Sequence, residues 1–428
     1  MRRDLRTGNN PALLAAGRAG DVLPLFVRDP QFSETSRRVG VLGDILTNLQ
    51  KEVPGMVLRY GEPEKEVLEV ALAAGAKEVY ITKDFSPYGR ARDERVREAL
   101  KQHGIFLVEE GSSYAVEPGS INKDGGGFYK VYGAFYKQWR ENLKVGNPHI
   151  SNINWAEGRG IDSTWRIEKR SGTEMQWGMD NFNEFLTKID QYPLNRHRPD
   201  LDGTSKISTA LKFGTIHPNS LIWLVENLEG SEEFLRQICW REWFADLLYR
   251  NPDLAWADAD KNSSVKTDTD GRAAERFKTW CEGKTGYPIV DAGMRQLLEE
   301  GWMPNRVRMI VGSFMLKDLH LPWQWGARWF MKNLIDGDLA SNNLSWQWLA
   351  GTGLDAAPYH RIFNPSLQSA KFDPEGIYIQ KWVKELSDVF KDKLHEPGCS
   401  GSYIQPMVDH NTERIEALDR WKGRKKTS

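Results

Sequence analysis

Asp336–Trp348, which reads DGDLASNNLSWQW, decides how this 428-residue chain is to be understood. Asp336, Asp338 and Asn342 stand at i, i+2 and i+6 in a segment otherwise rich in Leu and Trp. Acids buried among apolar residues need a cationic or hydrogen-bonding partner. Upstream, Gly301–Ile310 reads GWMPNRVRMI and offers Arg308 as that partner, while Thr285–Leu297 (TGYPIVDAGMRQL) and Gly351–Pro365 (GTGLDAAPYHRIFNP) flank it. Polar groups this dense among large rings describe a specific pocket in a helical domain.

The chain as a whole is longer than one hydrophobic core usually grows, so two domains are expected. Hydrophobic residues make up 40% and charged residues 27%, an ordinary globular balance, but 17 Trp is far above usual usage. Indoles in that number either fill a helical core or stack on bases and carry electrons. The net charge of −1 supplies no global basic field, so any contact with DNA must come from a local patch. Cys239, Cys281 and Cys399 form no CxxC pair, which argues against a zinc knuckle or disulfide framework and suits a reducing cytoplasm. No run of 18 apolar residues exists, and MRRDLR at the start leads into no signal-type apolar segment. The expectation is a cytoplasmic monomer without metal or membrane anchor.

From residue 10 to about 110 helical stretches (ALLAAGRAG, RRVGVLGDILTNLQ, EKEVLEVALAAG, RARDERVREALKQ) alternate with strand-like runs (VLPLFV, MVLRY, EVYIT, IFLVEE). That alternation predicts a parallel α/β sheet covered by helices. Residues 111–185, with DGGGF at Asp124–Phe128 and SNINWAEGRGIDSTW from Ser151, lack a sustained period and read as an interdomain linker. Residues 186–428 are dominated by helical patterns; Phe234, Ile238, Phe244 and Leu248 space as one buried stripe. The fold class is therefore α/β plus all-α. The basic end KGRKKTS reads as a solvated terminus.

Within the helical half, Gln237, Trp240 and Arg241 share a helix face at i, i+3 and i+4, and Asn305, Arg306 and Met309 share another. Asp202–Thr209 (DGTSKIST) places hydroxyls and a Lys where a loop enters a helix, a site for an anion or for plain N-capping by Thr204 or Ser205. No GxGxxG follows a strand, and Gly283-Lys284-Thr285 lacks the upstream Gly of a P-loop.

Together these motifs resemble the flavin-binding half of the cryptochrome and DNA photolyase family, closest to class I cyclobutane pyrimidine dimer photolyases, and a thinner likeness covers almost the whole chain. The resemblance implies an N-terminal Rossmann-like antenna domain (1–110), a linker (111–185) and a helical FAD-binding catalytic domain (186–428). The family's first strand, an apolar run before the Arg-Arg-Asp-Leu-Arg turn, has no counterpart ahead of Met1. A truncated start or a replacement segment is expected; an empty slot would leave the neighbouring strands with unpaired backbone groups.

By resemblance, Tyr192, Thr204, Ser205, Lys206, Ile207 and Ser208 hold the diphosphate of one non-covalent FAD, reduced in the active form. Gln237, Trp240, Arg241, Trp302, Asn305, Arg308, Asp336, Asp338 and Asn342 complete the cofactor site, with Arg308 and Asp336 paired beside the flavin. Asn342 matches the residue facing flavin N5, where a neutral amide can donate or accept. Trp240 and Trp348 match the walls against which a flipped-out dimer stacks; Asn305 and Met309 line its edge. Arg306 meets backbone phosphate, and Arg196, Arg241, Arg361 and Lys371 track DNA around the opening. The implied substrate is DNA containing pyrimidine dimers, and the implied activity is that of a deoxyribodipyrimidine photo-lyase.

The (6-4) photolyases carry histidines where Asn305 and Met309 stand, which favours cyclobutane repair. Gln237 replaces a Glu common in cyclobutane photolyases, so a reduced quantum yield is expected. Trp346 and Trp323 match two members of the family's electron relay, but the third place holds Asp270, leaving Trp325, Trp329 or another ring as terminal donor. In the antenna domain, Tyr88-Gly89 replaces the Asn-Glu of folate-binding relatives, so folate is disfavoured, and a deazaflavin, another flavin or an empty cleft stay open. The alternative function is a cryptochrome-type blue-light photoreceptor, which Gln237 and Asp270 favour.

Overall fold

The computed structural model describes residues 1–32, 37–146, 153–158, 160–167, 179–259, 265–355 and 361–424. The last four residues of the basic end KGRKKTS, parts of the tract from Ser151, and 356–360 of the GTGLDAAPYHRIFNP segment lie outside them.

In chain order the amino-terminal part runs α1 (Pro11–Ala19), β1 (Leu25–Arg28), α2 (Arg37–Glu52), β2 (Val57–Tyr60), α3 (Pro63–Ala73), β3 (Glu78–Ile81), α4 (Pro87–Lys101) and β4 (Phe106–Glu109). Then follow α5 (Tyr132–Asn142), α6 (Met179–Leu186), α7 (Tyr192–Asn195), α8 (Ser208–Phe213), α9 (Pro218–Val225) and α10 (Ser231–Arg250). The rest is helical: α11 (Gly271–Cys281), α12 (Pro288–Glu300), α13 (Asn305–Lys317), α14 (Trp323–Asn333), α15 (Leu339–Ala350), α16 (Pro365–Phe372), α17 (Ile377–Trp382) and α18 (His410–Lys422). Four expected helices and four expected strands alternate as read. In the stretch read as a linker, α5 was hidden by its Gly- and Asn-rich flanks; its Trp139 is wholly buried and donates to the Glu242 carboxylate at 2.7 Å.

The sheet comes in two halves. β1 pairs with β2 in parallel from Leu25↔Val57 to Arg28↔Tyr60, and β3 pairs with β4 from Glu78↔Phe106 to Ile81↔Glu109. Among the described residues no strand joins the halves. The amino group of Met1 donates to the Leu25 carbonyl of β1 at 2.7 Å, satisfying one acceptor on that edge.

In space the chain forms two compact units. The first comprises 1–129, 133–187 and 205–252; the second comprises 130–132, 188–204 and 253–428. In the first, Gly214 follows α8 at φ +69°, and a Cβ there would lie 1.8 Å from the Arg3 carbonyl oxygen, so only glycine lets this turn meet the amino-terminal segment. Arg6 Nη1 seals the contact by donating to the Gly214 carbonyl at 2.9 Å.

In the second unit the motif Thr285–Leu297 proves to be a structural cap. The fully buried Asp291 carboxylate accepts from the Thr285 amide and hydroxyl, both at 2.7 Å, from the Gly286 amide at 3.1 Å and from the Tyr403 hydroxyl at 2.5 Å. Four donors to one buried acid lock the entry of α12. Around it α12, α13, α14 and α15 enclose one apolar core built on Trp280, Val311, Phe314, Trp323, Phe330 and Trp346.

Candidate functional site

Asp338 is the N-cap of α15, its Oδ1 accepting from the Ser341 amide at 3.1 Å. Asn342 therefore lies inside the helix and is not its cap. Both hydrogens of its buried amide are occupied: Nδ2 donates to the Ala327 carbonyl of α14 at 3.0 Å and to Asn343 Oδ1 at 2.8 Å. That double constraint sets the rotation of the amide and leaves its oxygen as the accepting end of the group. Asn343 is held in turn, donating to the Ala255 carbonyl at 2.5 Å. One turn on, Gln347 donates to the Leu254 carbonyl at 2.8 Å and accepts from the Ala259 amide at 3.2 Å. Two buried amides thus clamp 254–259 to α15.

Arg308 and Asp336 form the ion pair that the sequence asks for. Arg308 Nη2 reaches Asp336 Oδ2 at 2.8 Å, while its Nε donates to the Met303 carbonyl at 2.9 Å. The Asp336 side chain is 3% exposed and that of Arg308 25%, so the pair is sunk at the acidic end and open at the basic end. Asn305 opens α13 and is exposed, its Nδ2 lying 3.8 Å from Met309 Sδ, so the expected i, i+4 pairing exists. The first turn of α13 carries no acid and holds Arg306, which adds to the positive end of the helix dipole.

Around Arg306 the second unit gathers cations on one aromatic ring. The Arg306 guanidinium lies 4.4 Å from the Phe372 ring centroid and Lys371 Nζ 5.4 Å from it; Arg306 Nη2 also meets His197 Nδ1 at 3.3 Å. Burial, then Arg306, Arg196 and Lys371, push His197 down to about 4. Burial, Arg196 and Arg361 lower even the Arg306 guanidinium. Cations crowded this closely repel one another and favour a polyanion. Arg361 lies over the half-buried Trp348 ring at 5.6 Å, and Arg196 over Tyr192 at 5.9 Å.

Several candidates belong to the first unit. Ile207, not Thr204 or Ser205, stands at the N-cap of α8, and it makes no side-chain cap bond. Lys206 has φ +48°, a left-handed conformation rare for a residue with a side chain and one that clusters at ligand-binding turns. On α10, Gln237 Nε2 donates to the Glu233 carbonyl at 3.3 Å, and Trp240 packs against Trp243 and Phe244, each at 5.3 Å. Arg241 lies 4.5 Å over Tyr114, and its two terminal nitrogens donate to the Ser113 and Leu211 carbonyls at 3.1 and 3.3 Å. Its contacts are those of a clamp within its own unit. In this unit too, Arg2, Arg3, Thr82, Lys83, Asp84, Phe85, Ser113 and Tyr114 line a small hollow beyond the carboxyl end of β3. Burial alone would raise Asp84, but Arg3, Arg92 and Arg2 hold it at about 2.

Of the remaining candidates, Trp302 is buried, and Tyr192 is buried at the start of α7. Trp323 is buried with its Nε1 donating to Asp258 Oδ1 at 2.7 Å, and Trp346 is buried against Phe330 at 5.0 Å. Sequence reasoning missed Asn343, Gln347, His197 and Phe372. Only the basic run Asn195–Arg198 gave a signal for His197; the two amides looked like ordinary interior polar residues.

The model of the DNA photolyase family matches residues 1–152, and that of the FAD binding domain of DNA photolyase matches residues 234–423. Deoxyribodipyrimidine photo-lyase of Vibrio cholerae is 33% identical over 469 residues, covering 99% of this chain and 99% of its own. The protein of the same name from Streptomyces griseus is 35% identical, over 97% of this chain and 98% of its own. Among solved structures, a class III photolyase from Agrobacterium tumefaciens superimposes with a TM-score of 0.90 at 30% identity, over 100% of this chain and 97% of its own. An archaeal photolyase from Sulfolobus tokodaii, solved with two FAD molecules, gives 0.86 at 29%, over 99% and 98%. Because one neighbour is of class III, these likenesses carry the family and not class I. Matched in both halves by family models and over its full length by relatives at 33% identity, this chain is a member of the DNA photolyase family.

Proposed function

We propose that the protein repairs cyclobutane pyrimidine dimers in DNA with blue light, using one non-covalent FAD. The observations that carry this reading are the Asn342 amide, whose Nδ2 is fixed by Ala327 and Asn343, and the Arg308–Asp336 pair, both in the second unit. The donor set fits a reduced flavin: an acceptor suits a ring nitrogen that bears hydrogen, and a cation open on one side suits an electron-rich ring. When bound, the reduced cofactor supplies one electron to the dimer under blue light and recovers it after two carbon–carbon bonds have broken.

The protein's own residues bind and orient. Arg306, Arg196, Lys371 and Arg361 hold phosphates around the opening, and His197, neutral among them, adds no further charge to be neutralised. Trp348 offers a ring face to a base that has left the stack, a contact of about 1–3 kcal/mol per base. Asn305 and Met309 line the dimer's edge with neutral groups, as befits chemistry that needs no proton donor. Trp240, Gln237 and the Ser205–Ser208 turn keep the roles that the resemblance gives them, and domain limits at 110 and 185 belong to the same reading.

The cryptochrome alternative predicts no preference for damage. In the dark, the reduced protein should retain a duplex carrying one thymine dimer in preference to the intact duplex, and blue light should release it. Equal retention of both duplexes would overturn the repair reading.

A further inference from the structure

Arg306 is held differently from the arginines nearest to it in sequence. Two residues on in α13, Arg308 is paired with the Asp336 carboxylate at 2.8 Å, and just after α7 Arg198 grips Asp200 through Nε at 2.8 Å and Nη2 at 2.5 Å. Arg306 has no carboxylate partner among the described residues; the charged groups that act on it are Arg196 and Arg361. Its Nε is buried without a hydrogen-bond partner among them, and its guanidinium makes one hydrogen bond, from Nη2 to His197 Nδ1 at 3.3 Å. A guanidinium can only donate, so Nδ1 must accept and the neutral ring carries its proton on Nε2. Burial, then Arg306, Arg196 and Lys371, push His197 down to about 4, so this acceptor stays unprotonated at neutral pH. Phe372 completes the contact, its ring centroid 4.4 Å from the guanidinium and 5.9 Å from the imidazole.

Resting on the reading of DNA as the substrate, we propose that His197 is the positioning residue of Arg306, a neutral acceptor that aims the guanidinium at a phosphate without cancelling its charge. An acid in this place would hold the guanidinium more tightly and offset its charge before any phosphate arrived, as Asp336 does for Arg308 and Asp200 for Arg198. An apolar side chain would leave the charge and lose the aim. The imidazole avoids both costs. Phe372 attracts the cation to its ring face, a contact that leaves the guanidinium free to rotate, and the bond to Nδ1 restrains that rotation. The full charge of Arg306 thus adds to those of Arg196, Lys371 and Arg361, and their mutual repulsion is relieved when a polyanion arrives.

Asn, Asp and Leu branch at the same carbon as histidine, so Asn and Asp put an oxygen about where Nδ1 stands, and Leu puts a methyl group there. All three lose the ring contact with Phe372 alike, so it drops out of the comparison. Binding of the full-length protein to a labelled duplex carrying one thymine dimer is read in the dark by fluorescence anisotropy at several salt concentrations, with folding of each variant checked by urea denaturation. His197→Asn should keep the wild-type salt slope. His197→Leu should bind about two- to twelvefold more weakly than His197→Asn with the same slope, the effect of one lost hydrogen bond. In that background Arg306→Ala should cost less affinity than it does in wild type. His197→Asp should lower the slope by about 1 and bind about eightfold more weakly than His197→Asn at 0.1 M salt, because one phosphate contact is lost. Equal affinity of His197→Asn and His197→Leu, or equal slopes of His197→Asn and His197→Asp, would overturn the proposal. A wild-type slope in Arg306→Ala would instead defeat the phosphate role of Arg306, and a wild-type protein that binds no duplex would defeat the DNA reading itself.

Discussion

Asn343→Leu tests whether Asn342 is oriented by its neighbour. The substitution keeps the bulk of the side chain and removes both of its hydrogen bonds, from Asn342 Nδ2 at 2.8 Å and to the Ala255 carbonyl at 2.5 Å. Each buried group left without a partner costs about 1–3 kcal/mol, so the variant should be less stable by roughly 2–5 kcal/mol in urea denaturation. Stability alone would not distinguish orientation from packing. With one restraint gone the Asn342 amide can turn its carbonyl inward, and the reduced flavin loses one accepting partner. A net hydrogen bond of about 0.5–1.5 kcal/mol corresponds to roughly 10–30 mV for a two-electron couple, so the flavin potential should fall by about that much. Gln347→Leu is the control, because it removes the bonds to Leu254 and Ala259 and leaves both Asn342 restraints intact. It should lose comparable stability with no change in potential. Equal shifts in the two variants, or an unmoved potential in Asn343→Leu with flavin retained, would refute the reasoning.

Gly326→Ala drives a methyl group into the Trp346 ring, with ring carbons at 2.3, 2.6 and 2.7 Å from the new Cβ; overpacking of this kind should cost about 1–3 kcal/mol in urea denaturation. Arg306→Ala should weaken DNA binding to a similar degree for every sequence and reduce the salt slope by about 1, as read by titration at several salt concentrations. His217, buried and bonded through Nε2 to the Ser112 carbonyl at 3.0 Å, is pushed down to about 3 by burial and by Arg6. Its folded pKa lies below the unfolded value, so the unfolded chain takes up the proton first and stability is lost as pH falls from about 6.5 toward 3. Between pH 7 and 5 the stability gap separating wild type from His217→Gln should therefore shrink by about 2 kcal/mol; a gap independent of pH would contradict the assignment.

What the sequence disclosed was local. The alternation of Val- and Leu-rich runs with amphipathic stretches made β1–β4 and their helices readable, and the spacing of Asn305 and Met309 was enough to place them one turn apart. Arg308 could be matched to Asp336 because a buried acid demands a partner and few cations stand among those apolar residues. What escaped was long-range. Gln347 meets Leu254 and Asn343 meets Ala255 across about ninety residues of chain, and nothing in either local pattern marks such a contact. The role of Asp291 was equally invisible, since its motif reads only as a flank of the pocket and in fact holds α12 to Tyr403. His197 and Phe372 join Arg306 only when α16 folds back onto α13, so their charge crowding has no sequence signature.

The central claim is that a flavin held by Asn342, Arg308 and Asp336 splits cyclobutane dimers under light. Its most direct measurement is the recovery of thymine ultraviolet absorbance when the reduced protein and an oligonucleotide containing one such dimer are illuminated with blue light, against a dark control. The account predicts recovery in the light alone, abolished when the flavin is removed and restored when it is added back. Flavin-loaded, dimer-bound protein that restores no absorbance in the light would contradict it.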